Sequence, residues 1–114
     1  MILQIKYTTD KGTSKERIVF SVVEEGNIGF CFVFNAKKIE GGISAKINYP
    51  FWFPDKDVKV GDLVVLYTKA GKSSFRQNKD NTTTYFYYRD IEKAIFTDDD
   101  RALLVESHTW EVEN

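Results

Sequence analysis

The stretch Val58-Lys59-Val60-Gly61-Asp62-Leu63-Val64-Val65-Leu66-Tyr67-Thr68-Lys69-Ala70-Gly71 decides the fold. Gly61-Asp62 marks a turn, Leu63 to Tyr67 is an unbroken apolar run, and Ala70-Gly71-Lys72-Ser73 marks a second turn. A short apolar run between two punctuators describes a strand covered on both faces. The remaining segments are therefore read as the elements that cover it.

Upstream, residues 2 to 8 alternate, with Ile2, Gln4 and Lys6 set against Leu3, Ile5 and Tyr7. The turn cluster Asp10-Lys11-Gly12-Thr13-Ser14 predicts a hairpin with the run Arg17 to Val23. In Ile28 to Phe34, Ile28, Phe30, Phe32 and Phe34 share one face and Gly29, Cys31 and Val33 the other. Each large side chain costs roughly 1.5–3 kcal/mol to leave in water, so the phenylalanine face is expected to be core. After Gly41-Gly42, Ile43, Ala45, Ile47 and Tyr49 alternate with Ser44, Lys46 and Asn48, predicting a strand with one wet face. Pro50-Phe51-Trp52-Phe53-Pro54 reads as a strand end or an edge crossing, because proline cannot donate to a ladder.

Downstream, Lys69 to Asn81 reads as a long exposed loop, and Thr83 to Arg89 as a strand. Ile91, Ala94 and Ile95 sit at helical spacing behind Asp90, so at most one short helix, near 90–96, is expected. Asp98-Asp99-Asp100-Arg101 is a turn, and strands are expected over 102–106 and 108–112. About eight or nine short strands predict an all-β, single-domain antiparallel β-sandwich over residues 1–114. The alternative is a small closed β-barrel of the OB or SH3 kind.

At 114 residues the chain can bury about two-thirds of the surface it exposes when unfolded. Its formal net charge of -1 argues against a protein built mainly to neutralise nucleic-acid phosphates. A single cysteine, Cys31, allows no internal disulfide. The N-terminal residues lack the pattern of a signal peptide, and no apolar run reaches membrane-spanning length, so a cytoplasmic or virion-associated location and no membrane partner are expected.

From about Phe51 to Val112 the order of features resembles the lamin tail domain. The step Val58-Lys59-Val60-Gly61-Asp62 leads into the long strand Leu63–Tyr67, and Ala70 to Asn81 takes the place of the variable loop. Ala94-Ile95-Phe96, the acidic turn Asp98-Asp99-Asp100 and Ala102-Leu103-Leu104-Val105 follow as the late segment, with Phe96 where the family usually has tryptophan. The resemblance implies an immunoglobulin-like sandwich that acts as an interaction module without a shared active site.

No residue pattern supplies a catalytic set. Cys31 lies in an aromatic run, where thiols are usually inert, and His108 is the only histidine. The Asp98–Asp100 turn lacks calcium-loop spacing, and the Gly71-Lys72-Ser73 look-alike lacks the first glycine of a phosphate loop. No cofactor and no metal are expected, and the chain is read as not an enzyme. The candidate binding residues are Tyr85 and Tyr87 with Arg76, Arg89 and Trp52, since exposed aromatics beside cations suit stacking. The leading expectation is a structural or protein-interaction domain, self-association included, as in an assembly such as a virion. The alternative is a module for single-stranded nucleic acid or glycan.

Overall fold

The computed structural model describes residues 1–114. Ten strands run in chain order: β1 (Leu3–Thr9), β2 (Arg17–Val22), β3 (Gly26–Asn27), β4 (Cys31–Ile39), β5 (Gly42–Trp52), β6 (Asp57–Val58), β7 (Leu63–Tyr67), β8 (Ser74–Gln77), β9 (Thr83–Tyr88) and β10 (Asp100–Glu106). They form a five-stranded sheet in the order β1-β2-β7-β9-β8, a three-stranded sheet in the order β10-β4-β5, and the small pair β3-β6. The two larger sheets pack as a sandwich, and no barrel closes, so the alternative of an OB- or SH3-like barrel falls away.

β7, the decisive run, is the middle strand of the larger sheet. Val64 and Leu66 join the inter-sheet core, while Val65 is buried on the opposite face. The turn that feeds it needs a left-handed residue, supplied by Gly61 at φ +96°, with the Asp62 N–H donating to the Lys59 carbonyl at 3.0 Å. β1 and β2 pair as the expected hairpin, with a register shift between Ile5 and Tyr7 that puts Tyr7 opposite Val19 instead of on the Ile5 face.

One pair departs from the antiparallel scheme: β7 and β9 run parallel. The cause is β8, which lies inside the segment read as a loop and pairs with the far edge of β9. β9 thus returns between its two predecessors and must share the direction of β7. The one short helix allowed over 90–96 does not form. Asp90 has φ +62°, Ile91 N–H bonds back to the Thr68 carbonyl, and the N–H groups of Ile95 and Phe96 donate to the Glu16 carboxylate. Residues 107–114 form no strand, so the expected final strand is also absent.

The core reverses the expected orientation of β4. Cys31 and Val33 face the other sheet and are fully buried, while Phe32 and Phe34 point outward and are half-buried. Phe20, Phe53 and Tyr87 already fill the space between the layers, packed edge to face with ring centroids 5.6–5.7 Å apart. Only small side chains from β4 fit beneath them.

Candidate functional site

The five residues singled out from sequence do not form one site. Tyr87 is only 6% exposed and belongs to the core, where burial pushes its hydroxyl up to about 12. Tyr85 shares that face of β9 and packs against the core from the rim, with Lys56 Nζ 5.5 Å from its ring centre. Alternation placed both tyrosines on one face correctly, but that face is the inner one.

Arg89 is a structural tie between the sheets. Its guanidinium donates to the Tyr49 carbonyl and, at 3.4 Å, to Asn35 Oδ1. Asn35 in turn donates to the Ile95 carbonyl at 3.2 Å. Burial pushes the guanidinium down to about 10, still cationic at neutral pH, and the nearby Glu16 charge works in the opposite sense. Glu16 is wholly buried and was not legible as important, because it sits in a polar turn cluster. Its Oε1 accepts from Thr68 Oγ1 (2.7 Å) and Ile95 N (2.9 Å), and its Oε2 accepts from Gly12 N (2.9 Å) and Phe96 N (3.1 Å).

Trp52 does stand on an open surface, 48% exposed. Register and alternation put it on the outer face of the three-stranded sheet beside Phe32, whose ring stacks on it at 4.8 Å. Phe34, Leu103 and Val105 share that face through the β4–β10 register. Ile43 and Ile47 extend it along β5 and are exposed. The apolar side of the Ile43–Tyr49 run is therefore not covered, because Ile43 and Ile47 lie on the outer face, turned away from the larger sheet. Trp52 Nε1 donates to the Gly29 carbonyl at 2.5 Å, and Trp110 meets Trp52 edge-on at 5.1 Å. Phe30 stacks on His108 at 4.4 Å. The smaller sheet is thus apolar on both faces, with an aromatic cluster at its base.

Arg76 lies on the outer face of the other sheet, its guanidinium 5.5 Å from the Phe86 ring centre. On the same face Tyr67 and Tyr88 stack at 5.2 Å and 10°, with Arg17 and Lys69 over Tyr67. Gly71 lies so close to the Tyr88 ring that an added Cβ would sit 2.4 Å from it.

Burial pushes the Cys31 thiol up to about 11, and the exposed His108 bonds instead to Glu106 Oε2 at 3.1 Å. Asp100 Oδ2 is occupied by the Thr97 N–H and hydroxyl at 2.8 and 2.9 Å. No group of three or more His, Cys, Asp or Glu side chains is placed to hold a metal ion. No helix is long and apolar enough to cross a membrane.

Fold and surfaces define the class: an all-β sandwich whose larger sheet is aromatic and basic outside and whose smaller sheet is apolar outside. No family model, no curated protein and no solved structure matches the chain.

Proposed function

We propose that this protein is a non-enzymatic interaction module that associates with a second copy of itself through the outer face of the three-stranded sheet. The observation that carries this reading is the outward placement of Phe32, Phe34, Leu103, Val105, Ile47 and Trp52 on one sheet. Soluble domains rarely leave a contiguous apolar patch of that kind uncovered.

Face-to-face contact is favoured over edge-to-edge contact. The free edge of β5 is broken by Pro50 and by Tyr49, which has φ +54°, so it does not offer a flat template. The outer positions carry charge only near the hairpin end, at Lys38 and Arg101. Away from that end the patch carries no charge and is compatible with its own two-fold mate. At about 4.8 Å between strands and 3.3 Å per residue, the face covers roughly 400 Å². A pair of such faces buries roughly 800–1,000 Å², at the small end for specific complexes, so a dissociation constant of micromolar order or weaker is expected.

An immunoglobulin-like, lamin-tail relationship belongs to the same proposal; the packing of two sheets is compatible with it. Sedimentation equilibrium over a wide concentration range tests the reading. A dimer that the exposed substitution Ile47→Lys abolishes is the expected result. A wild-type chain that stays monomeric at the highest concentration overturns it.

A further inference from the structure

The outer face of the five-stranded sheet is distinct from the proposed self-association face, and its residues follow from the register. Thr9, Arg17, Tyr67 and Tyr88 form one row across the strands. Tyr7, Val19, Val65, Phe86 and Ser74 form the next. Gln4, Ser21, Leu63, Thr84 and Arg76 form the third. Although the chain has 17 acidic residues, none lies in β1, β2, β7, β8 or β9, whose charged residues are Lys6, Arg17 and Arg76. The net charge of -1 conceals this segregation. The smaller sheet does contain acids, Asp100 and Glu106, so strand formation alone does not explain it.

The third row ends in a polar cleft of about 520 Å³ lined by Lys6, Arg76, Lys79, Asn78, Thr82 and Thr84, among others. Its one carboxylate, Asp80, is engaged by the Thr82 N–H and hydroxyl at 3.1 and 2.6 Å, bonds that hold its acid strength above the ordinary value. Three cations with hydroxyl and amide groups suit phosphate oxygens. The neighbouring row supplies Tyr7, half exposed, and Phe86 beneath the Arg76 guanidinium. Aromatic rings and guanidinium planes are the surfaces on which unpaired bases stack.

We propose that this face binds single-stranded nucleic acid, with backbone phosphates in the Lys6–Arg76–Lys79 cleft and bases over Tyr7 and the Phe86–Arg76 stack. An acidic polypeptide would satisfy the cations but would leave the rings unused, so the aromatic rows favour the nucleic acid.

Fluorescence anisotropy with a labelled oligothymidine, its duplex and polyglutamate tests the assignment. Three phosphate contacts on a single strand predict about a 100-fold loss of affinity for a ten-fold rise in salt. The triple variant Lys6→Gln, Arg76→Gln, Lys79→Gln, all at exposed positions, should lose at least about ten-fold at low salt and flatten that dependence. Tyr7→Ala should weaken the oligonucleotide and leave polyglutamate unchanged, and Ile47→Lys should leave oligonucleotide binding intact. No binding of the single strand at low salt overturns the proposal. So does equal binding of polyglutamate or of the duplex, or a triple variant that binds as wild type while keeping its circular dichroism.

Discussion

Replacing Glu16 by glutamine should cost this protein about 2–4 kcal/mol of stability, although the two side chains have nearly the same shape. The buried carboxylate accepts four hydrogen bonds, from Gly12 N, Thr68 Oγ1, Ile95 N and Phe96 N. A glutamine amide offers one oxygen and one NH₂. In the better orientation the oxygen keeps Gly12 and Phe96, while the NH₂ donates to the Thr68 hydroxyl, which turns to accept. Ile95 N–H is then left facing a donor, an orphaned group worth about 1–3 kcal/mol. The two retained bonds also lose their charge assistance, roughly another 0.5–1.5 kcal/mol each. Relief of the charge's desolvation offsets part of that sum. Urea unfolding should show a lower midpoint with an unchanged slope. Amide exchange should quicken most at Ile95, because the carboxylate holds the 90–96 segment in place of a helix. A glutamine variant within about 0.5 kcal/mol of wild type, with Ile95 still protected, would refute this account of the segment.

Other consequences follow from the same packing. Native Cys31 should resist thiol reagents near neutral pH and react only as the chain unfolds, since its thiol is buried and raised to about 11. Alkaline titration followed by circular dichroism should show stability lost as pH climbs. The folded values of Cys31 and Tyr87, about 11 and 12, lie above their ordinary 9 and 10, so the unfolded chain releases these protons first and the loss spans pH 9 to 12. Glu106 works in the other direction: the Ile2 N–H at 2.7 Å holds its carboxyl below the usual value, so its contribution fades as the solution is acidified below about pH 4.5. Val33→Ala, measured by urea unfolding, should cost about 2–4 kcal/mol, whereas Ile43→Ala, out on the hairpin, should cost less than about 0.5 kcal/mol.

Period-two patterns made most of the strands legible. The apolar run 63–67 is central, and the turn clusters at 10–14 and 41–42 lie between antiparallel partners, because turn chemistry and burial on a strand are local properties. Alternation divides a strand into two faces but does not say which one turns inward. For β4 the larger face goes outward, since the interior volume was already claimed by rings from β2, β9 and Phe53. The same ambiguity explains why Tyr85 and Tyr87 were favoured over Phe86 and Tyr88. β8 was missed because Ser74-Phe75-Arg76-Gln77 is exposed throughout and is held by a single neighbour. Among the candidate residues, Trp52 and Arg76 are exposed, but they lie on opposite sheets. Arg89 turned inward because Asn35 and the Tyr49 carbonyl, distant in the chain, supply its acceptors.

The order of synthesis gives one placement in the fold an unexpected weight. β4 is flanked by β5 on one side and by β10 on the other, and β10 leaves the ribosome after all nine of the other strands. Until Glu106 emerges, a growing chain carries a finished hairpin with one bare backbone edge and a row of outward phenylalanines. The nascent protein is thus stickiest while the place of β10 beside β4 is still empty, and chaperones or a neighbouring nascent copy would meet it at that moment.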